Sequence, residues 1–234
     1  MAVVVDVLRA TTVMIHALAA GCEAVIPCAE IDEARETAAG LPAALLVGER
    51  QGLPIPGFDL GNSPADFTEQ VCQGKTLVMT TTNGTRAILA SLEAERVYIA
   101  SFGNLRATST ELSVQFLKKD HKHPVHIICA GTDGHISLED SLLAGALAAQ
   151  IVSLPPDRSL NSFGNDEALM VVLQWNDAER LLERRALSSL LSLGRGGRNL
   201  DGIGLSVDFD ASSRVDHLPL VAMLERDPLR VVAV

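Results

Sequence analysis

Short β-branched, apolar runs punctuate the first 150 residues, at 2–6, 24–27, 44–48, 76–80, 96–100 and 125–129. Between most of them apolar positions recur at helical spacing. Val13, Met14, Ala17 and Leu18 make one stripe, and Leu138, Leu142, Ala146 and Ala149 another. Strands alternating with helices predict a largely parallel sheet with helices on both faces. The expected fold is a three-layer α/β sandwich around a mostly parallel, mixed sheet, in one body or two similar α/β lobes. Residues 50–62 break the alternation. They hold too much Gly and Pro for either element and read as a long loop, a frequent carrier of function.

The pattern changes after Leu154-Pro155-Pro156. Residues 157–165 read as a linker, followed by a helical pair at about 167–175 and 178–187. A glycine- and arginine-rich loop, Gly194-Arg195-Gly196-Gly197-Arg198, comes next; Arg195 and Arg198 either close over the ligand or belong to a mobile, solvated loop, and the mobile loop is the favoured reading. Weak strand signals close the chain at 205–209 and 230–234. Residues 1–154 are expected to form the core, and 155–234 a C-terminal lobe or its continuation. The tetrapeptide Leu-Arg-Ala-Thr occurs at 8–11 and again at 105–108, each time after a strand and at the start of a helix.

Composition narrows the partners. The net charge of −10 argues against nucleic acid or an anionic membrane surface. The four cysteines show no Cys-x-x-Cys pairing, and no apolar run is long enough to span a bilayer. These features predict a reduced, cytoplasmic protein, with a homo-oligomer left open. An anionic ligand would need local arginines, dipoles or a metal ion.

The segment Thr80-Thr81-Thr82-Asn83-Gly84-Thr85-Arg86 offers such a place. Read as the loop from a strand into a helix, it gathers hydroxyls, free N–H groups, a glycine and an arginine. Asn-Gly is also a hairpin signal, but the Ala- and Leu-rich residues that follow favour a helix. In open parallel sheets, ligands bind beyond the carboxyl ends of strands. Asp6 and Arg9, Glu49 and Arg50, the 80–86 loop, Asn104 and Arg106, and Cys129 with Asp140 all fall there. Asp6 ends an all-valine strand, a costly place for a charge without a partner or cation. Glu139 and Asp140 also suit the first turn of a helix. Together the acids could hold one hard cation, and Mg²⁺ needs only one or two carboxylates plus waters and substrate oxygens.

Other readings fail. The position six after Cys129 is His135 rather than the arginine of a tyrosine-phosphatase loop, and Asp6 lacks the second aspartate of haloacid-dehalogenase phosphatases. There is no Walker A or Gly-x-Gly-x-x-Gly sequence. The chain instead resembles the 2-phosphosulfolactate phosphatase family. The resemblance rests on Val5 through Thr12, Gly48-Glu49-Arg50, Gly57 through Pro64, Thr80 through Arg86, Cys129-Ala130-Gly131-Thr132 and Leu138-Glu139-Asp140. It implies Mg²⁺-dependent hydrolysis of the phosphate ester of a 2-hydroxy acid, such as (2R)-2-phospho-3-sulfolactate, in coenzyme M biosynthesis.

The expected site follows from both lines. Asp6, Glu49 and Asp140 are the metal candidates. Asp6, Asn83, Arg86 and Cys129 are the catalytic ones, with direct attack by water and a covalent phosphoaspartate at Asp6 both open. Thr81, Thr82, Gly84 and Thr85 are expected to cradle phosphate. Arg9, Arg50, Asn104 and Arg106 would bind the other groups of a small anionic ester. A non-catalytic sensor or carrier for a phosphometabolite is the alternative.

Overall fold

The computed structural model describes residues 1–117, 124–153, 163–183 and 185–234. Nine strands form its centre: β1 (Ala2–Val5), β2 (Ala24–Pro27), β3 (Ala44–Arg50), β4 (Leu53–Pro54), β5 (Thr76–Thr80), β6 (Val97–Ala100), β7 (His126–Cys129), β8 (Ala222–Arg226) and β9 (Leu229–Ala233). Ten helices surround them: α1 (Ala10–Ala19), α2 (Ile31–Ala39), α3 (Glu69–Cys72), α4 (Gly84–Ala90), α5 (Leu105–Leu117), α6 (Leu138–Ser153), α7 (Asp166–Leu182), α8 (Leu187–Leu191), α9 (Arg195–Gly202) and α10 (Asp208–Ser213). The six strands expected in the first 150 residues all form, and so does the helix after Asn83.

The sheet order is β4-β3-β5-β2-β9-β8-β6-β1-β7. Two parallel blocks stand out, β3-β5-β2 and β6-β1-β7. Between them lies the antiparallel pair β8-β9, antiparallel to β2 on one side and to β6 on the other. Following these pairings, the two blocks run in opposite senses. The α/β sandwich with a mixed sheet is therefore as expected, but the single carboxyl edge imagined for one parallel sheet is not present.

Strand β1 shows why its sequence is apolar throughout. Ala2 and Val4 pack with Val13, Met14 and Ala17 of α1, while Val3 and Val5 pack with α5 and α6 on the opposite face. Both sides of the strand are core. A smaller cluster of Cys28, Ala34 and Val78 lies under α2. Helix α2 starts with a capping box between Glu30 and Glu33.

The C-terminal third departs most from expectation. The helical pair is one helix, α7, because Val172, Trp175 and Ala178 keep one face buried through Asn176 and Asp177. It lies tightly on α6, where a Cβ on Gly145 would come within 2.1 Å of the Val171 carbonyl oxygen. The segment at 205–209 is not a strand; it enters α10, with Asp208 and Phe209 buried. The glycine-rich loop is the start of α9. The linker at 157–165 falls mostly outside the described residues. Strand β8, which the sequence pattern did not suggest, pairs with β9 through Arg226↔Leu229.

Candidate active site

A cavity of about 650 Å³ collects the ends of four strands. Asp6, Leu8 and Arg9 follow β1, and Thr132 and Asp133 follow β7. The other block contributes Glu49 to Gly52 at the end of β3, and Thr81 to Asn83 after β5. Helix α9 and the turn after it close a further side with Gly196, Arg198, Asn199 and Ile203. The two blocks meet closely: a Cβ on Gly84 would lie 2.4 Å from Ala10 Cβ and 2.6 Å from Asp6 Oδ2. Glycine at this position is what lets the 80–86 loop sit against the end of β1.

Four buried carboxylates surround this contact. Asp6 Oδ1 accepts from the Ala10 N–H (3.2 Å). Glu49 uses both oxygens on backbone, accepting from Thr82 N–H (2.7 Å) and Gly52 N–H (2.8 Å). Asp140 likewise accepts from Val7 N–H (2.8 Å) and Gly131 N–H (2.9 Å), tying the loops after β1 and β7 together. Glu139 is buried beneath the glycines of α9, and its Oε2 has no hydrogen-bond partner among the described residues.

The electrostatics follow from crowding and burial. Burial pushes the Asp6 carboxyl up to about 7; the Ala10 N–H and Arg9 oppose this, and the Glu49 and Glu139 charges add to it. Asp140 is raised well above the ordinary carboxylate range, first by burial and then by the Asp6 charge. Burial also raises Glu139, against partial opposition from its own N–H, from Ser137 and from Arg198. Burial first, and mutual repulsion second, therefore favour the protonated forms of these acids.

The arginines divide into three groups. Arg9 is buried and spent: Nη1 pairs with Asp208 Oδ2 at 2.7 Å, and Nη2 donates to Gly52 O at 2.7 Å. Arg50 donates to Glu49 O (2.8 Å) and to Thr80 Oγ1 (3.0 Å) but meets no carboxylate among the described residues. Arg86 and Arg106 are not in this cavity. The Arg86 side chain is 62% exposed, 4.0 Å from Glu30, and Arg106 lies beside Asp216 at 3.4 Å in a separate groove.

The loop hydroxyls also divide. Thr81 and Thr85 close a ring on each other: each N–H donates to the other's Oγ1 at 3.1 Å, and Thr85 Oγ1 donates to Thr81 O. They shape the loop. Thr82 Oγ1 is buried with no hydrogen-bond partner among the described residues and, with Asn83, lines the cavity. Asn104 sits elsewhere, fixing the turn after β6 through Ser101, Ile99 and Leu220. Cys129 ends β7 outside the cavity wall. Its thiol is pushed up to about 12, first by desolvation and then by Asp140, which leaves almost no thiolate near neutral pH.

The family profile of 2-phosphosulpholactate phosphatase matches residues 1–227. The chain belongs to that family. A probable 2-phosphosulfolactate phosphatase of Synechococcus sp. strain CC9605 is 44% identical over 223 residues, covering 94% of this chain and 87% of the relative. One from Symbiobacterium thermophilum is 42% identical over 211 residues (88% and 83%). One from Prochlorococcus marinus strain SARG is 39% identical over 222 residues (94% and 86%). Membership in this phosphatase family makes the chain a phosphoric monoester hydrolase, acting on a small phosphate ester. None of the described helices is long and apolar enough to cross a membrane.

The phosphatase cavity suits a cation that brings most of its ligands with it. Among the described residues no three His, Cys, Asp or Glu side chains group closely enough to hold a metal alone. Mg²⁺ asks less: one or two carboxylates, with waters and phosphate oxygens completing six. Asp6 could serve, because only Oδ1 is engaged by a hydrogen bond among the described residues and the side chain lines the cavity. Glu49 stands beside it in the wall.

Asp208 escapes the reading of the sequence, because it lies in a supposed strand. Glu139 reads both as a helix-end acid and among the acids that could hold a cation, and Arg198 as closing over the ligand or as part of a mobile loop, with the mobile loop favoured. The signal available for Arg198 was the Gly196-Gly197 pair preceding it, which permits close helix packing as readily as it permits disorder.

Proposed function

We propose that the chain hydrolyses the phosphate ester of a 2-hydroxy acid that carries a further acid group, with 2-phospho-3-sulfolactate as substrate and Mg²⁺ as cofactor. The observation that supports this is the convergence of Asp6, Glu49 and the Thr82-Asn83 turn in one cavity with Arg50. Phosphate would sit where Thr82 Oγ1 and Asn83 meet Asp6. Mg²⁺, held by Asp6 and beside Glu49, would neutralise phosphoryl charge as the ester bond breaks. Asp140, with both oxygens already on backbone N–H groups, fixes the loops after β1 and β7 around the cavity. Among the described residues Arg50 is held by a carbonyl and a hydroxyl, so its charge remains available to a substrate oxyanion.

The test is phosphate release from 2-phospho-3-sulfolactate and 2-phospholactate, each with Mg²⁺ and with EDTA. Turnover with Mg²⁺ and its loss in EDTA are expected. Tight binding of the ester without phosphate release under any condition would favour a sensor and overturn the reading.

A further inference from the structure

Three arginines line the cavity, and they differ in what holds them. Arg9 is neutralised by Asp208 in a buried ion pair. Arg50 and Arg198 make no ion pair among the described residues. Arg198 is anchored at one nitrogen, Nη1, which donates to Leu193 O. A guanidinium oriented by a neutral carbonyl keeps its full charge and most of its five N–H donors for another anion.

The helix bearing Arg198 is tightly seated. A Cβ on Gly196 would come within 2.1 Å of Glu139 Oε1, one on Gly194 within 2.4 Å of Glu139 Oε2, and one on Gly197 within 2.3 Å of Leu191 O. The first turn of α9 therefore rests on the Glu139 carboxylate and on the end of α8. Its fourth residue, Arg198, faces the same cavity as Asp6 and Thr82.

We propose that Arg198 is the residue that selects substrates bearing a second acid group, binding the sulfonate or carboxylate farthest from the phosphoryl group. The inference rests on the phosphatase reading above and extends it. With the phosphate at Thr82 and Asn83 and one acid group on Arg50, Arg198 is the remaining cavity arginine that makes no ion pair among the described residues. A planar fork suits the oxyanion face of either acid.

The experiment compares kcat/KM of the full chain, Arg198→Ala and Arg198→Lys on 2-phospho-3-sulfolactate and on 2-phospholactate, which lacks the second acid group. For Arg198→Ala we expect a loss of ~10²-fold on the diacid ester, mostly through KM. On 2-phospholactate the loss should stay within about threefold, and Arg198→Lys should recover part of the difference. Thermal melts of both variants check that the fold is intact. Equal losses on the two esters, or none on either, would overturn the assignment while leaving the phosphatase reading in place. A wild-type chain that turns over neither ester would overturn both.

Discussion

Asp6 occupies a position that favours its protonated form. Its folded pKa is about 7 because burial removes water and the Glu49 and Glu139 charges repel its own. An acid whose pKa rises on folding binds more protons folded than unfolded. Its contribution to stability is complete below the ordinary value of 3.8 and is lost as pH climbs through about 7. Thermal melts of metal-free protein from pH 4 to 8 should show that loss, and Asp6→Asn should reduce the slope. Added Mg²⁺ should raise the wild-type midpoint at pH 8 and leave Asp6→Asn nearly unmoved. Identical slopes for the two proteins would assign the titration to other groups. This residue was legible from sequence, because a charge at the end of an all-valine strand has to be compensated. Arg86 was less so. It sits in the first turn of α4, and adjacency to a cavity-lining loop does not fix which side of a short helix faces the ligand. The same ambiguity left Arg198 between a ligand contact and a mobile loop, because its relation to Glu139 depends on a contact across nearly sixty positions of chain.

At the scale of elements, local pattern was a good guide wherever one strand or helix had one job. The strands of both parallel blocks are apolar because they are buried on both sides, and α1 shows its stripe plainly. It failed where tertiary contact decided. Asn176 and Asp177 have modest helix propensity, yet α7 continues through them because Trp175 and Ala178 are pressed against α6. Gly196 and Gly197 weaken a helix on their own, but α9 forms because nothing larger fits against Glu139 and Ser192. Gly84 is the sharpest case for the site. Gly84→Ala would press a methyl group into Ala10 and the Asp6 carboxylate, shifting α4 away from α1. We expect a destabilisation of ~1–3 kcal/mol and a fall in kcat of at least tenfold, read from thermal melts and phosphate release. A variant with wild-type turnover would mean that the loop can yield without displacing Asp6.

The whole molecule is joined by its last thirteen residues. Strands β8 and β9 lie between β2 and β6, so the two parallel blocks share no direct strand pairing. Each block carries half of the cavity, and their opposed directions explain why a rule for one parallel sheet located the right residues without describing their arrangement. The core crosses the same junction: Ala222, Leu224 and Val231 are buried in the cluster that includes α1, β1 and β5. From sequence, only the end of this hairpin was visible, since the run at 230–234 is β-branched while Ala222-Met223-Leu224-Glu225-Arg226 is equally compatible with a helix. Removing residues 222–234 would leave β2 and β6 as open edges and expose apolar surface on both blocks. Such a chain should lose its cooperative melt and aggregate rather than retain a smaller active core. The milder Val231→Ala should cost about 2 kcal/mol and lower the melting midpoint without altering KM, because Val231 touches the core and not the cavity. If the truncated chain keeps a sharp transition and measurable phosphate release, the blocks hold together through their helices, and the hairpin is a filler rather than the join.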